Sequence, residues 1–144
     1  MTPDMLQNEN LPSEIGDAIQ IIFSKWSEEE KQAFSMIEMI ELNSLKLTLG
    51  LDIRNLFQLW SGNQKLLLAC QREIEEHPAL KEILWKIFYL SSWEEGLLDE
   101  EKRGERAKEE EKIAFDEVFS EMNAYLASEL IIYMAWSSLQ KKPE

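Results

Sequence analysis

The chain has 144 residues, 44% of them hydrophobic and 30% charged, and a formal net charge of −13. That size and composition describe one soluble globular domain, able to bury roughly 68–70% of its unfolded surface without a disulfide or a metal. A surface so acidic repels phosphate backbones and anionic lipid, which speaks against nucleic acid and membrane as partners and in favour of a basic protein.

Cys70 is the single cysteine, so no disulfide can form within the chain and a reducing cytoplasm fits. Residues 1–11 read as a loose polar arm. They lack the basic start and apolar run of a signal peptide. Lys, Glu or Asp interrupts every long apolar run, so no transmembrane helix is expected.

Residues 12–140 read as a single helical domain. Pro12 or Ser13 opens a first helix, with Ile15, Ala18, Ile19 and Ile22 on one face at i, i+3, i+4, i+7 spacing. Ser27-Glu28-Glu29-Glu30 is a capping box, in which Ser27 and Glu30 satisfy each other's backbone donors. It starts a second helix expected to run to about Glu41. Asn43 or Ser44 caps a third helix, expected to end at Trp60. Its stripe is Leu45, Leu49, Ile53, Leu56, Phe57 and Trp60, while Leu47, Leu51 and Leu59 project elsewhere. A helix apolar on nearly every side belongs at the centre of a fold, so this one, at about 44–60, is expected to be the buried hub.

Gly62 ends it by taking a left-handed conformation, and Asn63 caps a fourth helix carrying Leu66, Leu67, Cys70 and Ile74. His77-Pro78 breaks that helix, and Pro78 suits the first turn of a fifth. Ser92-Trp93-Glu94-Glu95 repeats the capping pattern before a charge run at 99–112, which leads into a last helix expected over 113–139. Its inward residues are Phe115, Val118, Phe119, Met122, Leu126, Leu130 and Tyr133. No alternating strand pattern appears. The expected fold is therefore all-α, a compact bundle of five or six helices.

The block Leu49-Gly50-x-x-Ile53-Arg54-Asn55-x-x-x-Leu59-Trp60-x-Gly62-Asn63, followed by His77-Pro78, resembles a family of small bacterial domains of unknown function. The resemblance covers roughly Pro12 to Phe88 and implies a bacterial origin and a helical fold. It implies no catalytic residue. The family often has Asp after His-Pro, where this chain has Ala79 and Leu80.

Asp52, Arg54, Asn55 and His77 are the candidate structural or ligand-binding polar residues. A charge on a buried helix must find a partner. Arg54 is expected to hold a carboxylate or helix-end carbonyls, with an anion-binding pocket as the competing reading. Gly50 lies roughly one turn earlier and leaves room for another backbone or for the guanidinium. His77 is the only histidine, sits at a helix boundary and lacks the Glu-x-x-His spacing of a carboxylate-bridged metal pair. Cys70, among leucines, reads as a buried inert thiol. No catalytic constellation, metal site or cofactor is implied.

Trp85, Tyr89 and Trp93 are the candidate partner-binding edge, since exposed aromatics are enriched at protein interfaces. The leading expectation is a protein-interaction module, immunity-like or regulatory. A ligand-binding domain or enzyme with a polar pocket around Arg54 is the alternative, and a homodimer paired through the last helix stands beside them.

Overall fold

The last helix of this computed structural model, α7 (Ala124–Gln140), is apolar on almost all sides, and most of the other elements assemble on it. The structure describes residues 11–60, 62–90 and 105–140. Residues 1–10 of the expected arm at 1–11, the capping pattern around Trp93 and the charge run up to 104 lie outside them.

The first helix starts at Ile15 with Glu14 at its N-cap, later than the expected opening at Pro12 or Ser13, and its apolar face is the expected one. Ile15, Ala18 and Ile22 are buried along α1 (Ile15–Ser24). At α2 (Glu28–Met36) the capping box is complete, with Ser27 Oγ accepting from Glu30 N at 3.1 Å and Ser27 N donating to Glu30 Oε1 at 3.0 Å. The helix stops five residues short of the expected Glu41. Its freed carbonyls are taken from α7, where Gln140 Nε2 donates to Ser35 O at 2.8 Å and Trp136 Nε1 to Ile37 O at 3.0 Å. Orphaned carbonyls at a helix end need such donors.

The stretch expected as one central helix at about 44–60 is two shorter pieces. A 3-10 helix spans Met39–Leu45 and an α-helix, α3, spans Leu49–Leu56. After α3 the chain turns through Gln58 at φ 53°. That turn sends Leu59 into the core and leaves Trp60 50% exposed, the reverse of the expected stripe. Leu47 and Leu51 are also exposed. This segment is not the hub. It is one of the elements packed on α7, together with α1, α2, α4, α5 and the 3-10 helix.

Gly62 takes φ 102°, as the stop signal requires, and Asn63 caps α4 (Gln64–Glu76) by accepting from Leu66 N at 3.2 Å. α5 (Ala79–Leu84) follows Pro78 and runs on into a π-helical turn at Trp85–Tyr89. The charged α6 (Glu105–Val118) is separate from α7. Between them Asn123 Oδ1 accepts from Leu126 N at 2.9 Å, an N-cap that restarts the chain as a new helix. The expected five or six helices are thus seven α-helices among the described residues. Those residues contain no strand, and the all-α class holds. None of their helices is long and apolar enough to cross a membrane.

Candidate functional site

α7 contains a single charged residue, Glu129, and it is buried at 4% exposure. Arg54 on α3 is buried to the same degree. Both line one cleft of about 410 Å³, with Lys46, Tyr89 and Tyr125 around them and Leu47 and Val118 as apolar wall.

Arg54 reaches the cleft because Gly50 has no side chain. A Cβ there would stand 3.0 Å from Nη1. Nη1 donates to Ser128 Oγ at 3.0 Å and, at 3.4 Å, to the Lys46 carbonyl. Ser128 Oγ in turn donates to Tyr125 O at 2.8 Å. The guanidinium carbon lies 4.7 Å from the Tyr125 ring centroid and 5.4 Å from that of Trp60, a placement that stabilises a cation through the ring quadrupole. Of the two expected ties, the one to a helix-end carbonyl is made, to Lys46 at the C-cap of the 3-10 helix, and the one to a carboxylate is not. Among the described residues Arg54 has no salt bridge, and its Nε is buried without a partner.

Glu129 is equally under-satisfied. Tyr89 donates its hydroxyl to Oε1 at 2.7 Å, but Oε2 is buried without a partner. Burial pushes the Glu129 carboxyl from 4.5 up to about 7, against the opposite pull of the Tyr89 hydrogen bond and of the nearby Lys46 and Arg54 charges. Burial and the Glu129 charge together hold the Tyr89 phenol well above its ordinary value, so it stays a donor. Lys46 Nζ is anchored on the Phe88 carbonyl at 3.1 Å. Three buried side-chain polar atoms lack a partner among the described residues, and two of them belong to Arg54 and Glu129. That coincidence singles out this cleft, because such atoms are rare and costly in native folds.

The other expected residues are not brought here. Asp52 is on the surface. Asn55 is exposed and accepts from Trp60 Nε1 at 3.0 Å. His77 is exposed and pairs with Glu73 at 3.2 Å, beside a larger surface groove of about 540 Å³. Cys70 is fully buried, and its thiol is pushed up to about 12 by burial and then by Glu73. Among the described residues no cluster of three His, Cys, Asp or Glu could hold a metal.

The aromatic edge expected at Trp85 and Tyr89 is packed rather than presented. Trp85 is 5% exposed, stacks on Tyr89 with centroids 6.0 Å apart, and donates from Nε1 to Glu111 Oε1 at 3.1 Å. α6 covers it, with Phe115 edge-on to the indole at 5.7 Å. Trp93 lies outside the described residues. Among the described residues the exposed aromatics are instead Trp60 and Tyr125, in T-shaped contact at 5.1 Å beside the Arg54 cleft.

Glu129 and Tyr125 were missed by sequence reasoning, yet one signal for Glu129 was present. It is a lone charge in an apolar run, the same feature that singled out Arg54.

Gly50→Ala tests the seating of Arg54. A methyl group there displaces a buried, hydrogen-bonded guanidinium, and the better helix propensity of alanine recovers only about 0.5–1 kcal/mol. A net loss of about 1 kcal/mol is expected in urea unfolding. In a Ser128→Ala background, where the main bond is already gone, the loss should shrink. An undiminished loss there would contradict this seating.

No curated protein and no solved structure matches the chain. Residues 11–87 match a family described as a domain of unknown function, DUF6794, a span that holds Lys46, Gly50 and Arg54 but stops short of Tyr89, Tyr125 and Glu129. On that match the chain belongs to the DUF6794 family.

Proposed function

We propose that the protein is a ligand-binding domain whose site is the cleft between α3 and α7. One observation carries this: two oppositely charged side chains, each about 96% buried by its 4% exposure, line the same cleft with a polar atom unpartnered on each. Leaving buried donors and acceptors unpaired costs roughly 1–3 kcal/mol per group. A ligand that completes those bonds would offset the cost. The set of a carboxyl, a phenol and two cations holds a ligand by charge and hydrogen bonding. The thiol and the imidazole stand elsewhere, so binding is favoured over turnover.

Screening a fragment collection of mixed chemistry against isotope-labelled protein by NMR tests this. Bound fragments should shift the resonances of Leu47, Arg54 and Tyr125. If hits scatter over the surface and none moves these three, the reading fails.

A second reading has its own support. Leu47, Trp60 and Tyr125 are exposed around the cleft, an apolar rim about a polar centre of the kind protein interfaces use. With the −13 charge, it favours an interaction module for a basic protein, immunity-like or regulatory, within a bacterial cytoplasm. Co-expression with the products of neighbouring genes should then yield a complex that Leu47→Asp breaks. A complex indifferent to that change, or none, counts against it.

A further inference from the structure

The way Arg54 is held determines what kind of group it can still receive. Nη1 takes both of its hydrogen bonds to described residues. Nε has none, and Nη2 makes none to any described residue either. These two donors form one edge of the guanidinium, and side-on docking to that edge gives two parallel hydrogen bonds to the two oxygens of a carboxylate. The rest of the cleft is largely apolar, with Leu47, Val118 and the Tyr125 ring.

We propose that the cleft takes a small monocarboxylic acid with an apolar body, its carboxylate lying along the Nε–Nη2 edge of Arg54 and its body against Leu47, Val118 and Tyr125. This rests on the cleft being a ligand site and names the ligand's class. A phosphate fits less well. It brings a second negative charge toward Glu129 and Glu117, which both line the cleft, and has no apolar part for the walls. Glu129 does not fill the edge itself, because Tyr89 holds its Oε1 at 2.7 Å. Nε is closed to solvent in the unliganded chain, so a side chain must move for the acid to enter.

The charged and titratable groups around the bound acid are Arg54, Lys46, Tyr89, Glu129 and Glu117. Of these Glu129 changes charge near neutrality. A neutral Glu129 leaves the two cations opposed by Glu117 alone, whereas an ionised one repels the ligand. Affinity should therefore weaken from about pH 6 to about pH 8, and Glu129→Gln should flatten that slope.

The test is titration of the full chain with 3-phenylpropionate and phenylacetate, against phenylacetamide and phenethylamine, followed by NMR shifts and calorimetry. The acids should bind at least about tenfold more tightly than the amide and the amine, a difference of about 1.4 kcal/mol. Arg54→Lys, which keeps the charge but removes the two-donor edge, should lose about that factor. Equal binding of acid and amide overturns the proposal on wild-type protein alone, whatever the variant's stability. Tighter binding of amide or amine at Leu47 and Tyr125 keeps the ligand site and overturns the carboxylate class. If no probe moves a cleft resonance, the class falls, and the fragment screen decides separately whether the cleft binds anything.

Discussion

Glu129→Gln is expected to stabilise the protein by about 3 kcal/mol at about pH 9 and to change little near about pH 4. The carboxyl is pushed from 4.5 up to about 7, first of all by burial. Between those values the folded chain keeps a proton that the unfolded chain releases. Its stability is therefore fullest below about 4.5 and falls as pH rises through about 7. Each unit of displacement is worth about 1.36 kcal/mol. Glutamine is nearly isosteric, never ionises and still accepts from the Tyr89 hydroxyl, so the penalty of the buried anion disappears at high pH. At low pH the two side chains are both neutral and differ little. Urea unfolding at the two pH values reads this directly. An equal gain at both would mean that Glu129 is not the titrating group, and a loss at high pH would mean that Lys46 and Arg54 depend on its charge.

The same residue shows why the sequence was only partly legible. Local signals proved reliable: the reciprocal Ser27–Glu30 cap, the positive φ at Gly62 and the Asn63 cap all occur where the residue types demand them. These depend on a few neighbouring atoms. The choice of the central helix depends on everything else. Read as one long helix from residue 113, the C-terminal stretch averages a charged front with an apolar back, and its all-round apolarity is diluted. The break at Asn123 separates them, and the Asn followed by an apolar run was a cap signal that went unused. The same averaging hid Glu129. In the segment at about 44–60, periodicity alone could not show the left-handed Gln58 that reverses Leu59 and Trp60. The cleft was half visible. Arg54 and the space at Gly50 follow from one helix, whereas Tyr89, Tyr125 and Glu129 join them only through tertiary packing.

Asn63→Ala is expected to cost about 3 kcal/mol in urea unfolding. The capping role is the smaller part of this, typically about 1 kcal/mol. The side chain is only 5% exposed, and its amide is used from both ends. Oδ1 accepts from Leu66 N at 3.2 Å, while Nδ2 donates to Phe57 O at 3.0 Å and to Pro12 O at 3.1 Å. One residue thus starts α4, closes the carbonyl left by the turn after α3, and ties the chain before α1 to both. Alanine abandons two carbonyls in a place where water has little access, which is what makes the loss exceed that of an ordinary cap. Serine separates the contributions. It keeps the cap, cannot reach both carbonyls, and should recover about 1 kcal/mol of the deficit. Aspartate keeps the cap as well but turns an acceptor toward two carbonyl oxygens, so it should be no better than alanine. If serine were to restore full stability, the cap alone would matter and the links to Pro12 and Phe57 would be incidental. The expected order, Asn above Ser above Ala and Asp, follows only if the amide's donors hold the two chain segments together.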